Sequence, residues 1–255
     1  MVKETVEKNY TISSLQRAIR VLKTFTNDEP TLSLTELSKK TGITISSLQR
    51  IVSTFVAEGF LHKNEQTKRY QLGHSLLYLG NLVKKESSLI LVAESVLKRL
   101  NEETKENLSL NVIDGFERRC ILNFDSPYPL STKMLVGDRA PLYAGASSKT
   151  LLAFMPNYAD YVYNVQLEKI TDSTNTSKEQ LLEQLRQIRT NHYCISFSER
   201  VRGACSISVP ILNAAQHSIA SISLVIPEIR YHDYDEEQLI QKMQQAAKEI
   251  ENQLF

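Results

Sequence analysis

Polar side chains are concentrated at the start of a predicted helix over residues 45–58. In duplex DNA a glutamine amide can pair with adenine, an arginine guanidinium can pair with guanine, and a serine or threonine hydroxyl can contact either. Arg50 could equally contact a phosphate, so both roles stay open for it. The residues that we expect to read DNA from this turn are Thr44, Ser46, Ser47, Gln49 and Arg50.

A basic hairpin is predicted directly after that helix. Residues 60–63 and 68–72 have the composition of short strands, and the polar residues 64–67 form a turn between them. Lys68 and Arg69 then lie near the tip of the hairpin, where basic side chains suit contacts with phosphate or with the minor groove. The sequence therefore predicts a wing that supports DNA binding.

The elements that must position these groups begin with a capping box. The Ser33 hydroxyl can accept from the backbone N–H of Glu36, and the Glu36 carboxylate can accept from that of Ser33. A short helix is expected over residues 34–40, and Gly42 can adopt the positive φ of a tight turn. These signals predict the first helix of a helix-turn-helix.

The second helix of the pair is predicted to begin after Thr44 as its cap and to end before Gly59. Its inward face would consist of Leu48, Ile51, Val52 and Phe55. An earlier helix is expected to be capped by Ser13 and Ser14, with apolar positions at Leu15, Ile19, Leu22 and Phe25. Two short helices joined by a glycine turn and followed by a hairpin are typical of a winged helix-turn-helix.

After residue 72 the hydrophobic period changes twice. A linker helix and a longer helix come first, strands and short helices follow, and a hairpin precedes a C-terminal helix. This order predicts a second domain of mixed helix and strand. The expected helices are 73–85, 89–105, 147–154, 158–167, 177–190 and 235–254, and the expected strands are 108–114, 117–125, 132–136, 205–213 and 218–227.

Composition and charge limit the possible functions. The chain has 255 residues with 42% hydrophobic residues, and it contains no apolar run of the roughly 18 residues that a membrane span needs. It shows no secretion signal, and its three cysteines show no paired framework, which fits a reducing cytoplasm. Residues 1–75 hold 11 Lys and Arg against 7 Asp and Glu, a net charge of +4, whereas residues 76–255 hold 19 against 22, a net of −3. This division favours nucleic-acid contact by the N-terminal part.

Several patterns could indicate other chemistry but lack essential members. Residues 145–150 resemble the end of a phosphate-binding loop, but two required glycines are absent. His192, Cys194 and Cys205 could belong to a zinc site, although no fourth ligand is evident. Glu199 and Arg200 could form an acid–base pair, but no nucleophile accompanies them. We therefore expect no enzymatic activity, no cofactor and no metal.

Segments along most of the chain resemble the IclR-type bacterial transcriptional regulators. They are SLQRAIRVLKTF, LTELSKKTGITISSLQRIVSTFVAEGFL, TKRYQLG, VGDRAPLYAGASSKTLLAF and YCISFSERVRGACSISVPILNAAQHSIASISLVIP. The resemblance implies an α+β protein with a winged helix-turn-helix, a linker helix and a GAF-like α/β effector domain built on a mainly antiparallel sheet. It further implies dimers, often paired into tetramers, that repress or activate transcription in response to a small organic or aromatic acid.

The resemblance also implies which residues would bind the effector. Backbone N–H groups of Ala146 and Ser147 would meet its carboxylate, and serine side chains on the strands would line the pocket. Three positions depart from the usual family pattern, namely Ser148, Ser196 and Ile226, and they leave the identity of the effector open. The implied pocket residues are Leu130, Thr132, Leu135, Ala146, Ser147, Ser196, Ser206, Ser223 and Val225.

The sequence thus predicts an effector-controlled transcriptional regulator. Residues 1–72 would bind operator DNA, residues 73–88 would form the linker between the two domains, and residues 89–255 would bind the effector. The alternative is a GAF-like sensor or adaptor whose winged helix binds protein rather than DNA. The serines of the implied pocket could also simply hydrogen-bond within their strands.

Overall fold

The structure is a computed structural model that describes residues 11–132 and 134–255. It consists of two compact units, Met1–Glu86 and Ser87–Phe255. Both units combine helices with antiparallel sheets, which confirms the predicted α+β class. The boundary between the units lies directly after the predicted linker helix.

The N-terminal unit is a small helical domain with a three-stranded antiparallel sheet of order β1-β3-β2. Its core is formed by buried side chains from every helix and strand up to β3, including Val21, Leu37, Leu48 and Tyr70. The elements are α1 (Ser13–Leu22), β1 (Thr31–Leu32), α2 (Leu34–Thr41), α3 (Ile45–Ala57), β2 (Leu61–Lys63), β3 (Tyr70–Leu72) and α4 (His74–Glu86).

The capping box at the start of α2 is formed as predicted. The Ser33 N–H donates to the Glu36 carboxylate over 2.7 Å, and the Glu36 N–H donates to the Ser33 hydroxyl over 3.3 Å. Gly42 ends the helix at a φ of +70°, which a residue with a Cβ rarely adopts. The turn between α2 and α3 is therefore fixed by local sequence signals.

Two predicted side-chain caps do not form. Ile12, not Ser13 or Ser14, occupies the N-cap of α1, and no side chain caps this helix. Thr44 does occupy the N-cap of α3, but its hydroxyl does not bond to the backbone and lies 3.5 Å from the Ser46 hydroxyl. In both helices the first turn is closed by main-chain hydrogen bonds alone, such as the 3.0 Å bond from Gln16 to Ile12.

The apolar face of α1 is also rotated from the predicted one. Leu15 and Ile19 are 55% and 43% exposed, whereas Val21 is fully buried. Leu22 and Phe25 pack at the margin of the core. A ten-residue helix buries only the side chains that contact the rest of the unit. In α1 these side chains lie near its C-terminal end.

The C-terminal unit is built on a six-stranded antiparallel sheet of order β6-β5-β4-β9-β8-β7. Its strands are β4 (Asn107–Asp114), β5 (Glu117–Phe124), β6 (Arg139–Pro141), β7 (Cys194–Phe197), β8 (Ala204–Leu212) and β9 (Ser218–Pro227). Its helices are α5 (Ser88–Thr104), α6 (Ala146–Ala153), α7 (Tyr158–Asn164), α8 (Lys178–Asn191), α9 (Glu228–Tyr231) and α10 (Glu236–Leu254).

The two faces of this sheet differ in polarity because serine alternates with isoleucine, leucine or valine along β8 and β9. One face carries apolar side chains such as Ile207 and Leu224, and these pack with α5 and α10 into the larger core. On the other face Ser208 pairs in register with Ser223, and the Ser221 hydroxyl reaches the backbone of α6 over 3.2 Å. The chain thus buries a polar layer between the sheet and α6.

The predicted strand at residues 132–136 is wrong for its described residues; Lys133 lies outside them. The chain turns there instead, because the Leu135 N–H donates to the Asp138 carboxylate over 2.8 Å and the Asp138 N–H donates to the Leu135 carbonyl over 3.0 Å. The strand begins three residues later, as β6. Three short elements were not predicted: β1, β7 and α9.

Replacing Ser33 with alanine should destabilise the N-terminal unit by about 1 kcal/mol, because a backbone donor at the start of α2 loses its acceptor. Urea unfolding of the full chain, followed by circular dichroism, measures this change. Ser13→Ala is the control, since Ser13 caps nothing, and it should leave the stability unchanged. Equal losses in the two variants would show that the capping box does not stabilise the unit.

Candidate nucleic-acid interface and ligand cavity

The exposed face of α3 carries most of the predicted DNA-reading residues. Ser46, Gln49 and Arg50 are exposed at helical spacing, Thr44 is exposed at the N-cap, and Ser47 is half-buried beside them. Within the described chain, the Arg50 guanidinium has no hydrogen bond or ion pair, and the Gln49 amide is held only by the Ser53 hydroxyl at 3.3 Å. This face therefore presents donors and acceptors that are available to a partner.

The wing is less basic than its sequence suggests. The Glu65 carboxylate pairs with Lys68 at 2.8 Å and with Lys63 at 3.4 Å. The hydrogen bond from Lys68 and the charge of Lys63 lower the pKa of Glu65, so it stays ionised at neutral pH. Lys68 itself adopts a left-handed backbone conformation at the end of the turn. The wing thus carries one exposed and one half-buried lysine around one acid.

Arg69 follows the wing turn as predicted, where its carbonyl accepts from the Asn64 N–H over 2.9 Å, but its side chain points away from the tip. Its Nη2 atom donates to the Glu36 carboxylate over 2.8 Å and to the Thr31 carbonyl over 2.9 Å, and its Nε atom donates to the Thr31 hydroxyl over 3.2 Å. The guanidinium therefore joins the start of β3 to β1 and to the capping box. These contacts engage its Nε and Nη2 atoms.

A cavity lies in the C-terminal unit beside the N-terminus of α6 and the polar face of β7–β9. Its volume is about 70 Å³, and it is partly open to solvent. Seven of the nine residues predicted for an effector pocket line it, and they are Thr132, Ala146, Ser147, Ser196, Ser206, Ser223 and Val225. The other lining residues are Met134, Asp138, Gly145, Glu199, Arg200, Val201 and Ala204.

The expectation that Leu130 and Leu135 form an apolar wall of this cavity is wrong. Leu130 is 54% exposed, and its carbonyl accepts from Arg230 over 3.2 Å. Leu135 belongs to the turn before β6, where its N–H is bonded to Asp138. The side chain of Met134, between them in sequence, lines the cavity instead.

The serines of the cavity differ in their hydrogen bonding. The hydroxyls of Ser196 and Ser206 bond to each other over 3.0 Å across β7 and β8. The Ser223 hydroxyl is buried and has no hydrogen-bond partner within the described chain. The alternative was that these serines simply hydrogen-bond within their strands. It holds for Ser196 and Ser206 but not for Ser223.

The N-terminus of α6 is held in place by a buried ion pair. Lys149 donates to the Glu199 carboxylate over 2.5 Å, and the second oxygen of this carboxylate accepts from the Gly145 N–H over 2.8 Å. Gly145 has a φ of +84°, and a Cβ there would lie 3.0 Å from the Arg200 side chain. The first N–H groups of a helix have no partner within it and favour anions, so α6 directs such groups toward the cavity.

Two arginines lie beside the cavity: Arg118, which the sequence did not single out, and Arg200, which was considered only for an acid–base pair. Arg118 is fully buried on β5, and its Nη1 atom contacts the Asn111 amide oxygen at 3.1 Å and the Asp138 carbonyl at 3.4 Å. Burial, together with the charge of Arg200, lowers the pKa of Arg118 to about 10, and burial also lowers that of Arg200. Both guanidinium groups still carry their charge at neutral pH. Buried and half-buried residues alternate along β5, so Arg118 shares the inner face of the strand with Cys120 and Leu122.

The residues considered for a metal site are not assembled, and Glu199, considered with Arg200 as an acid–base pair, is ion-paired with Lys149. Burial raises the pKa of Cys194 to about 11 and that of Cys205 to about 12, which disfavours the thiolate that zinc requires. The His192 ring lies 5.2 Å from that of Phe154. No group of three metal-ligating side chains occurs in the described chain.

Across the same described residues, no helix has the length and apolar character to cross a membrane.

Comparison with known proteins matches both units to one family. Residues 14–65 match the IclR helix-turn-helix domain, and residues 82–252 match the domain described as bacterial transcriptional regulator IclR C-terminal. The chain is 30% identical to the HTH-type transcriptional regulator KipR of Bacillus subtilis, over 89% of this chain and 91% of that protein. It is 26% identical to the p-hydroxybenzoate hydroxylase transcriptional activator of Acinetobacter baylyi, over 94% of this chain and 91% of that protein.

Solved structures show the same fold. An IclR transcriptional regulator from Alicyclobacillus acidocaldarius superposes with a TM-score of 0.86 at 20% identity, covering 96% of this chain and 99% of that one. An IclR homolog from Microbacterium hydrocarbonoxydans, complexed with 4-hydroxybenzoate, has a TM-score of 0.84 at 24% identity and covers 95% and 99%.

Replacing Glu199 with glutamine should destabilise the C-terminal unit by about 3–5 kcal/mol, because the buried Lys149 charge loses its partner. Adding Lys149→Met should recover most of that loss, since glutamine can still accept from the Gly145 N–H. Urea unfolding of the full chain measures both changes. Glu183→Gln, which breaks an exposed pair with Arg186, is the control and should cost less than about 1 kcal/mol. A double variant no more stable than the single one would contradict this interpretation of the pair.

Proposed function

Because the chain belongs to the IclR family of bacterial transcriptional regulators, we propose that it binds operator DNA through α3 and the wing, and that a small organic acid in the cavity controls this binding. One observation carries the proposal. The same chain has an exposed polar face on α3, suited to DNA, and a partly polar cavity at the N-terminus of α6, suited to a small acid. The proposed DNA-binding domain is 1–72, the linker is 73–88, and the effector domain is 89–255. Helix α4 would be the linker.

The recognition face supports readout in the major groove. In a helix-turn-helix the N-terminal residues of the second helix contact base edges. Arg50 and Gln49 have the side chains suited to guanine and adenine, and Thr44, Ser46 and Ser47 complete the contact surface. The lysines at 63 and 68 would contact phosphates, whereas Arg69 would hold the wing against the rest of the unit.

The cavity supports recognition of an acid. The N–H groups at the start of α6 favour a carboxylate, and the partnerless Ser223 hydroxyl can donate to it. The relative from Microbacterium hydrocarbonoxydans is complexed with 4-hydroxybenzoate, an aromatic acid. We infer an effector of the organic-acid class for this chain.

Exposed apolar side chains support self-association into a homodimer, and pairs of dimers into a tetramer. Helix α4 buries none of its side chains within the described chain, and α1 exposes part of its apolar face. Several large apolar side chains exposed on one helix commonly mark an interface. The exposed apolar residues are Ile12, Leu15 and Ile19 on or beside α1 and Leu77, Tyr78, Leu79, Leu82 and Val83 on α4.

Replacing Arg50 with alanine should weaken operator binding by about 1–3 kcal/mol if its guanidinium reads a base. The probe is a duplex selected from random sequence by the wild-type protein, and binding is measured by fluorescence anisotropy at several salt concentrations. Lys98→Ala, a loss of one exposed charge on α5, should leave affinity unchanged. An equal loss on unselected DNA would assign Arg50 to phosphate. Absence of any salt-dependent duplex binding by the wild type would favour the alternative, a winged helix that binds protein.

A true effector should stabilise the full chain and also change its operator affinity. Since a ligand at a hundred times its dissociation constant stabilises by about 2.7 kcal/mol, a thermal-shift screen of small carboxylates and aromatic acids identifies candidates. Each candidate is then titrated into the operator complex, because a ligand shifts an equilibrium only through different affinities for its two states. An acid that binds in the cavity without changing operator affinity would contradict effector control.

A further inference from the structure

Arg118 is a buried cation without a counterion. Its side chain is fully buried, and its Nε and Nη2 atoms have no hydrogen-bond partner within the described chain. No carboxylate in the same residues lies within ion-pair distance of it. A buried charge without a partner is costly to the fold, and such an unsatisfied group calls for an explanation.

The guanidinium of Arg118 lies directly behind the cavity wall. Its Nη1 atom is 3.6 Å from the Met134 sulfur and 3.4 Å from the Asp138 carbonyl, and both residues line the cavity. A thioether is only a weak acceptor, and Met side chains adapt readily to their surroundings. An anionic oxygen that displaced the Met134 side chain would compensate the guanidinium charge far better than the sulfur does.

The other charges around the cavity leave an excess of positive charge. Arg200 lines the cavity, half-buried, and within the described chain it has no hydrogen bond or ion pair. The Lys149 and Glu199 charges compensate each other. Asp138 is the nearby acid; it forms no ion pair with either guanidinium within the described chain, and its carboxylate accepts from the Leu135 N–H. The partial positive charge at the N-terminus of α6 adds to this excess.

We propose that the ligand of the cavity is a small dicarboxylate, with one carboxylate at the N-terminus of α6 beside Arg200 and the second on Arg118. This inference rests on the proposed function, in which the cavity binds an organic acid, and it names the class of acid and the residue that selects it. Arginine suits this role because its fork of N–H groups binds a carboxylate in a bidentate manner.

The test compares succinate with butyrate, which has the same number of carbons and one carboxylate. Binding to the full chain is measured by calorimetry and by thermal shift for the wild type, Arg118→Gln and Arg119→Gln. Glutamine at 118 removes the charge but can still donate to Asn111. Arg119 is the matched control, because it is the next residue along β5, points to the opposite face and pairs with Asp114 at the surface.

The wild type should bind succinate about 10- to 100-fold more tightly than butyrate, the range expected for hydrogen bonds to a charged group. Arg118→Gln should lose this preference with butyrate affinity unchanged, and Arg119→Gln should retain it. Without ligand, Arg118→Gln should unfold at the same temperature as the wild type or at a higher one. A purely structural role for Arg118 would instead lower its unfolding temperature and leave the preference intact.

Two results would overturn the dicarboxylate assignment. If butyrate binds as well as succinate, or if Arg118→Gln keeps the preference, the assignment fails while the cavity still binds an organic acid. If neither acid binds, the assignment also fails, and the response of operator affinity to aromatic acids then decides the proposed function separately. Should Arg118→Gln not fold, Arg118→Lys replaces it; it keeps the charge but loses the bidentate geometry, so succinate binding alone should weaken.

Discussion

The ion pair between Lys149 and Glu199 is the contact on which the geometry of the cavity depends. Lys149 extends from α6, and Glu199 lies after β7 and also accepts from the Gly145 N–H. The Glu199 carbonyl in turn accepts from the Thr174 hydroxyl over 2.7 Å. The start of α6 and the segment after β7 are therefore joined through one carboxylate, and both line the cavity. Because the pair compensates its own charges, the charge that a ligand meets comes from the arginines.

The two faces of the sheet in the C-terminal unit have different roles: one stabilises the fold, and the other lines the binding cavity. The face toward α5 and α10 is apolar, and its burial drives folding of the unit. The face toward α6 carries buried polar groups, some of them unsatisfied, and these oppose folding. A ligand that satisfies these groups stabilises the folded state, so the apolar face provides the stability that the polar face requires.

Much of this arrangement was predictable because the signals are local. The capping box at Ser33, the turn at Gly42 and the alternation of serine with larger apolar residues along β8 and β9 each depend on residues close in sequence. They predicted the helix-turn-helix and the hairpin, whereas the serines of the cavity were implied by the resemblance to the family. Leu130 and Leu135 were wrong because they lie in an irregular segment, where no periodicity indicates which side chains point inward.

The errors at Arg69 and Arg118 have a common physical origin. Arg69 bonds to a residue 38 positions away, and Arg118 owes its burial to its place in a six-stranded sheet next to a bulge at Leu110 and Asn111. Neither relation is written in the neighbouring sequence, where both residues stand among charged groups typical of a surface. The structure gives these two arginines opposite roles. Arg69 is satisfied by the protein itself and supports the wing, whereas Arg118 lacks partners for two of its nitrogens and is thereby suited to recognise an anion.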